Sequence, residues 1–202
     1  DNDESEAISE AMNGMLLSNH SYGVPVASVS ATPWYIGAYS QEAYNWDVIS
    51  YTFPYYLPVM SAGNDGSATN PSPTTAGYDK LNGNKNAKNI LTVANAQDAT
   101  VNATTGAITA GGLINSTSSQ GPSDDRRIKP DITGNGTGLT STGNGTGTGG
   151  GNTAYSSLSG TSMAAPNVTG TLTLIQQHYN NVNGKFMRAA TLKGLATHTA
   201  TD

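Results

Sequence analysis

Short apolar runs alternate with segments of helical pattern along this chain, and this alternation restricts its fold more than any other feature. The apolar runs have the length of buried strands and cover residues 15–19, 56–62 and 89–94. The helical patterns cover residues 3–13, 40–51, 162–178 and 184–198. Strands that alternate with helices form a mostly parallel sheet, so the sequence predicts an α/β fold.

Two polar stretches interrupt this alternation. Residues 98–119 alternate loosely around a turn at 104–106, which predicts a hairpin. Residues 134–152 are nearly all Gly, Thr, Asn and Ser, which predicts a loop with at most one short strand at 139–141. Because the apolar pattern resumes directly afterwards, we interpret this loop as part of one domain of 202 residues.

Composition argues against several classes of function. Net charge is −5 and only 11% of the residues are charged, which argues against binding to nucleic acid or to an anionic membrane. The chain has no cysteine, so a disulfide framework, a thiolate nucleophile and a zinc–thiolate site are excluded. No apolar run approaches the ~18 residues of a membrane span. Few lysines with many Asn, Thr, Ser and Gly are typical of an exported bacterial protein, so we expect a secreted or cell-surface location.

A serine at the start of an apolar helix is the strongest candidate for a catalytic residue. Residues 160–166 read GTSMAAP, a turn of small residues that leads directly into the predicted helix. A hydroxyl placed there could attack a carbonyl whose oxygen meets backbone N–H groups at the helix N-terminus. The alternative reading of Ser162 is a serine that caps the helix.

Two other segments stand out from ordinary fold sequence. Residues 61–66 read SAGNDG and follow a predicted buried strand, at the sheet edge where parallel folds place their ligand sites. Asn64 could donate an amide N–H to a developing oxyanion there, or could simply be a turn residue. Residues 118–131 read SSQGPSDDRRIKPD, and residues 124–127 within this segment are predicted to form a salt-bridged turn.

Together these segments resemble the subtilisin-like serine proteases, or subtilases. The heptapeptide 160–166 is similar to the nucleophile motif of that family, and residues 61–66 resemble its oxyanion-hole segment. Residues 17–23, 89–98 and 118–131 resemble three further family segments, in the family's order. The sequence departs from the family at two places. Gly134-Asn135-Gly136 stands where the family usually has Ala-Pro-Gly, and the loop at 143–152 is longer than usual.

The resemblance implies a three-layer subtilisin-like fold and a set of site residues. Ser162 would be the nucleophile, and Asn64 would share the oxyanion with the backbone N–H of Ser162. Two walls would enclose the primary specificity pocket, and a peptide substrate would add to the first of them as a strand. The walls are Ser21, Tyr22 and Gly23 on one side and Ser61, Ala62 and Gly63 on the other.

The motifs for the other two members of the family's Asp, His, Ser triad are missing. No His-Gly-Thr and no Asp-Thr/Ser-Gly occurs, and we expect structural or surface roles for His20, His178 and His198. We therefore interpret residues 1–202 as a single partial catalytic domain, truncated at both ends, that lacks the N-terminal Asp and His part. Alone it should be inactive, and its open cleft should favour self-association.

Other functions stay open beside this one. The second hypothesis is a pseudoprotease, a non-catalytic module that binds peptides. An esterase of the α/β-hydrolase type is disfavoured because the chain has no Gly-x-Ser-x-Gly motif. Family members often bind calcium, but no dense ligand loop occurs in this sequence, so we predict no metal site and no other cofactor.

Overall fold

Helices and strands alternate through most of the chain. The computed structural model describes residues 2–69, 79–143 and 151–201. In chain order the helices and strands are α1 (Asp3–Met12), β1 (Leu17–His20), α2 (Gln41–Thr52), β2 (Leu57–Ser61), β3 (Leu91–Ala96), β4 (Ala99–Val101), β5 (Ile108–Gly111), β6 (Ile132–Asn135), β7 (Leu139–Thr142), β8 (Tyr155–Leu158), α3 (Thr161–Asn183) and α4 (Ala189–His198).

A parallel sheet of four strands, in the order β1-β2-β3-β6, lies at the centre. Each neighbouring pair is parallel, with Asn19 beside Val59, Val59 beside Leu91, and Val93 beside Ile132. Two antiparallel hairpins, β4–β5 and β7–β8, stand outside it. The predicted α/β class with a mostly parallel sheet is therefore confirmed, as is the hairpin predicted within residues 98–119.

Apolar side chains cover both faces of the sheet. Leu57 and Val59 of β2 pack with residues of α3 and α4 in one core cluster. Met60, the next residue of β2, packs with Ala43 and Trp46 of α2 in a second cluster. Because successive side chains of a strand point to opposite faces, these clusters make helix, sheet and helix layers, as expected.

Helix ends follow the capping rules in part. Ser40 caps α2 and accepts a hydrogen bond from the Ala43 N–H at 3.4 Å, as the sequence predicted. Gly184 adopts a left-handed conformation with φ +67° and ends α3. The prediction that the last helix begins at residue 184 is therefore wrong, since α4 begins at Ala189.

Two strands, β6 and β8, were not predicted from the sequence pattern. Strand β6 contains Gly134, at which a Cβ would lie 2.7 Å from Val168 Cγ2 of α3. Because α3 packs this closely, only glycine fits at a position where a buried strand would otherwise show an apolar side chain. Strand β8 has only four residues, two of them serines, and is exposed along most of its length. The strand predicted at residues 139–141 is confirmed as part of β7, and residues 144–150 of the predicted loop lie outside the described residues.

An ion-pair cluster joins α4 to the sheet. Asp131 pairs with Lys129 at 2.7 Å and with Lys193 of α4 at 3.0 Å, and it also accepts the Thr92 N–H of β3. Burial lowers the pKa of Lys129 to about 8, although attraction to Asp131 opposes that change. Asp131 therefore compensates a cation that has almost no access to water.

We predict that Asp131→Asn lowers the free energy of unfolding by about 3 kcal/mol, because it leaves the buried Lys129 without its counter-ion. The substitution keeps an oxygen for the Thr92 N–H, so the loss reports mainly the charge. Urea denaturation measures it. The matched control is Asp125→Asn, which breaks a more exposed pair with Arg127 and should cost less than about 1 kcal/mol. Equal losses for the two variants would contradict the prediction.

Candidate active site

Ser162 lies in the first turn of α3, as its second residue. Gly160 occupies the N-cap position, so the reading of Ser162 as a capping serine is wrong. The N–H groups of Thr161, Met163 and Ala164 are all bonded, the first to Asn64 and the other two to the Gly160 carbonyl. Within the described residues the Ser162 N–H has no partner. A free donor at a helix N-terminus therefore adjoins the Ser162 hydroxyl.

Thr161 fixes the orientation of Asn64. Its N–H and its hydroxyl both donate to Asn64 Oδ1, at 2.9 and 3.1 Å, and the same hydroxyl accepts the Gly63 N–H at 3.0 Å. Because Oδ1 takes two donors, the amide nitrogen Nδ2 is directed away from Thr161. Gly63 has φ +105°, a conformation that favours glycine, and this turn brings Asn64 beside α3.

The segment after β1 contacts the same helical turn. Ser21 Oγ donates to the Ser162 carbonyl at 3.1 Å, and Ser162 Oγ donates to the Ser21 carbonyl at 3.4 Å. Residues Tyr22 and Gly23 continue from this contact and are exposed. Three stretches that are distant in sequence thus meet at the end of the sheet.

One cavity of about 250 Å³ lies between these stretches. Its lining contains the candidate nucleophile, the candidate oxyanion donor and both predicted walls: Ser162, Asn64, Ser21, Tyr22, Gly23, Ser61, Ala62 and Gly63. The volume falls below the roughly 300–1,000 Å³ of small-molecule pockets, so it suits one amino-acid side chain. A second cavity of about 440 Å³ lies between Ser162 and the β7–β8 hairpin.

None of the three histidines lines either cavity that contains Ser162. Both ring nitrogens of His20 are within 2.6 Å of a hydroxyl, from Ser18 and Tyr22, and burial lowers its pKa despite attraction from Asp3. His178 lies on α3, roughly 24 Å along the helix from Ser162 at ~1.5 Å per residue. His198 ends α4. His20 is therefore held by hydrogen bonds and the other two histidines are exposed, in line with the structural or surface roles expected for the three side chains.

Asp65, beside the site, and Asp125, in the segment at residues 118–131, each have a partner of their own. Asp65 lines the first cavity and accepts the Val26 N–H at 3.2 Å. Asp125 pairs with Arg127 at 2.8 Å, which confirms the salt-bridged turn predicted in residues 124–127.

Over residues 2–69, 79–143 and 151–201, no three acidic or histidine side chains converge as metal ligands would. The helices of that part of the chain include none long and apolar enough to cross a membrane.

Sequence reasoning missed two residues of the site. Thr161 lies inside the heptapeptide, and its contact with Asn64 could have been proposed from the adjacency of the two motifs. Lys85 also lines the first cavity, from a 3₁₀ turn at Gly83–Asn86. The only sequence signal for Lys85 is a charge between two predicted buried strands of a chain poor in charge.

We predict that Thr161→Val lowers the free energy of unfolding by about 1–3 kcal/mol, because the Gly63 N–H and Asn64 Oδ1 each lose a partner. Faster hydrogen exchange of the Gly63 amide, followed by NMR, should accompany the loss. Thr161→Ser is the control, since it removes the methyl group and keeps the hydroxyl. Protection of Gly63 that survives in the valine variant would show that the hydroxyl does not hold this loop.

Comparison with curated proteins finds bacterial proteinases. The PII-type proteinases of Lactococcus lactis subsp. cremoris and of Lacticaseibacillus paracasei are each 41% identical over 68 residues. That match covers 34% of this chain and 3% of each proteinase. This chain therefore spans a small part of the length of these relatives.

Solved structures share the fold. A lanthipeptide protease aligns with a TM-score of 0.65 at 18% identity, over 100% of this chain and 59% of its own. The patellamide maturation protease PatA aligns at 0.64 and 20% identity, over 98% of this chain and 58% of its own. A cold-adapted subtilisin-like serine proteinase aligns with a TM-score of 0.58 at 19% identity, over 98% of this chain and 54% of its own.

The model of the subtilase family of peptidases matches residues 1–202. The chain therefore belongs to the subtilase family.

Proposed function

We propose that this chain is the nucleophile-bearing part of a serine endopeptidase that cuts peptide bonds through an acyl-enzyme on Ser162. The observation that carries the proposal is a convergence at one cavity. The Ser162 hydroxyl, the Ser162 N–H and the oriented Asn64 amide all lie at the end of the sheet beside a pocket sized for a side chain, and that N–H has no partner among the described residues. Such a set serves acyl transfer.

In the proposed reaction, Ser162 Oγ attacks the carbonyl carbon of the scissile bond. The negative charge that develops on the carbonyl oxygen receives hydrogen bonds from the Ser162 N–H and from Asn64 Nδ2. Collapse of this intermediate expels the amine and leaves an ester on Ser162, which water then hydrolyses. A histidine must take the Ser162 proton and pass it to the leaving amine, and an aspartate must orient that histidine. The reaction uses only protein groups and water.

We propose that this histidine and aspartate come from residues outside positions 1–202, so that the chain is a partial catalytic domain. The three histidines of the chain support this, because each is engaged or distant as described above. The domain of the complete protein would then contain the Asp and His motifs of the family ahead of residue 1.

A peptide substrate would bind in extended form along the segment after β1. Gly23 supports this, since it is exposed and its backbone N–H and carbonyl make no hydrogen bond to the described residues. Strand addition gives main-chain bonds, while a pocket selects the side chain. The residue on the N-terminal side of the scissile bond would enter the first cavity, and the leaving peptide would lie toward the second.

Location and assembly are extensions of the same proposal. We propose a bacterial protein that is secreted or held at the cell surface, in keeping with its composition and with the bacterial proteinases that match it. We further propose that the isolated chain self-associates through its open cleft. Exposed apolar side chains on the hairpin beside the second cavity, Tyr155 and Leu158, support this.

A pseudoprotease that binds peptides without cutting them is the second candidate. One observation favours it: the described residues place no base beside Ser162, whose hydroxyl instead reaches a backbone carbonyl. The upstream gene sequence separates the two candidates. Asp-Thr/Ser-Gly and His-Gly-Thr motifs favour the peptidase, and their absence favours the binding module.

We predict that the isolated 202-residue chain hydrolyses a fluorogenic peptide no faster than its Ser162→Ala variant, because no described group can take the serine proton. The measurement is initial rate against enzyme concentration for both proteins. Robust turnover that Ser162→Ala abolishes would contradict the prediction, since it would place a base within this chain.

We predict that Asn64→Asp in the complete protein lowers kcat by about 10²–10³, a magnitude known from removing such a donor in subtilisin itself. Aspartate keeps the oxygen that Thr161 binds and loses the N–H, so the fold and KM should change little. Asn64→Ala serves as the comparison, since it loses both the donor and the Thr161 contacts. A variant Asn64→Asp with unchanged kcat would remove Asn64 from the oxyanion site.

A further inference from the structure

A buried lysine lines the first cavity. Lys85 belongs to the 3₁₀ turn at Gly83–Asn86 and is 4% exposed, yet its side chain lines the cavity that Ser162 and Asn64 border. A side chain buried to this degree and directed into a cavity is costly to keep charged unless something there balances it.

Both walls of the cavity approach this lysine. A Cβ added at Gly23 would overlap Lys85 Nζ, and a Cβ added at Gly63 would lie 3.8 Å from Lys85 Cε. The ammonium is therefore directly behind Gly23 of the first wall, while its stem passes near the second wall. Glycine at position 23 leaves the space that the ammonium occupies.

Lys85 has no ion-pair or hydrogen-bond partner for its ammonium among the described residues. Glu42 and Asp65 attract it through space, but neither lies within ion-pair distance, and each has another donor. Glu42 Oε2 accepts the Tyr35 hydroxyl at 2.8 Å, and Asp65 Oδ2 accepts the Val26 N–H at 3.2 Å. The other lysine of the cavity, Lys80, donates to the Gly66 carbonyl.

The charge balance of the cavity is positive. Its charged lining consists of Lys80, Lys85 and Asp65. Burial lowers the pKa of the Lys85 ammonium, and the attraction of Glu42 and Asp65 opposes this only in part. The Lys85 ammonium thus lacks a close anion, and a carboxylate that enters the cavity would supply one.

We propose that the first cavity selects an acidic side chain, so that the peptidase cuts after Asp or Glu, with Lys85 as the residue that determines this specificity. The inference rests on the proposed function and names its substrate class. Tyr22 and Ala62 by themselves suggest an apolar pocket, but an apolar side chain would leave the ammonium buried without a partner. A carboxylate would form a charge-assisted hydrogen bond with it.

Peptide binding to the 202-residue chain tests the proposal without need of turnover. The probes are acetyl-Ala-Ala-Ala-X-amide peptides with Glu, Asp, Gln or Leu at X, titrated by calorimetry. We expect the better of the two acidic peptides to bind at least about tenfold tighter than the Gln peptide, which matches Glu in shape and lacks its charge. Equal or tighter binding of the Gln or Leu peptide would overturn the proposal.

Two variants test whether Lys85 causes the preference for acidic peptides. Lys85→Met keeps the length of the side chain and removes the charge, so the preference for acidic peptides should fall to within about twofold. Lys88→Met is the matched control, because it removes the same charge from an exposed position three residues along and should preserve the preference. A preference that survives Lys85→Met in a folded protein, judged by circular dichroism, would also overturn the proposal. Should Lys85→Met not fold, the comparison of Glu with Gln peptides on the unmodified chain decides alone.

Failure of this inference and failure of the proposed function give different results. Acidic peptides that bind selectively but are not cut by the complete protein would support the specificity of the cavity and contradict the peptidase. Cleavage that depends on Ser162 but shows no preference for Asp or Glu would do the reverse.

Discussion

The site depends on the bonds between Asn64 and Thr161, two residues 97 positions apart. The buried Thr161 hydroxyl donates to Asn64 Oδ1 and accepts the Gly63 N–H, while the Thr161 N–H makes a second bond to the same oxygen. Rotating the Asn64 amide by half a turn would break both bonds to Oδ1. The direction of Nδ2 is thus set during folding, so the Asn64 amide would need no reorganisation in the proposed reaction, when charge develops on a substrate carbonyl.

The parallel sheet explains why these loops meet. Strands β1 and β2 are neighbours, so the segments that follow them, with Ser21 and Gly63, leave the sheet at the same edge. Helix α3 crosses the sheet and begins at that edge. Its approach is close, since a Cβ at Gly136 would lie 2.6 Å from the Gly160 carbonyl oxygen. Glycine after β6 thereby permits the position of the turn that precedes Ser162.

Ser119 holds the residues on both sides of Asn64 by hydrogen bonds. Its N–H donates to the Gly63 carbonyl at 2.9 Å, and its hydroxyl accepts the Asp65 N–H at 2.9 Å. Ser119 is buried, so these bonds are shielded from water. The segment at residues 118–131, which the family resemblance singled out, thus supports the candidate oxyanion loop and, through Asp131, also anchors α4.

The sequence predicted the elements whose burial leaves a local pattern. Strands β2 and β3 are apolar runs because both of their faces are covered, and α2 carries its cap at Ser40. Strand β6 was missed because α3 lies so close that Gly134 replaces an apolar side chain. Local patterns made Ser162 and Asn64 separate candidates, and the resemblance to the subtilase family implied that the two share one site, where the structure places both at one cavity.

Lys85 could not be placed at this cavity from the sequence. Its position depends on how a 3₁₀ turn between β2 and β3 sits against α2, and on the space left by a glycine 62 positions away at Gly23. No period or spacing of residues encodes such a juxtaposition. Contacts of this kind need the assembled sheet, whereas a nucleophile motif is local.

The electrostatics of the cavity oppose those of the chain as a whole. The chain carries a net charge of −5, while the cavity combines the positive end of α3 with Lys80 and Lys85 against Asp65. At physiological salt, charges beyond about 8 Å are largely screened, so the overall negative charge repels an acidic peptide only weakly. The proposed selection of acidic side chains would then arise within the cavity, where the Lys85 ammonium is shielded from water. Such selection would act on the dissociation of bound peptide more than on its rate of encounter. The oxyanion that would form at Ser162 is negative too, so a positive cavity serves recognition and the proposed reaction together.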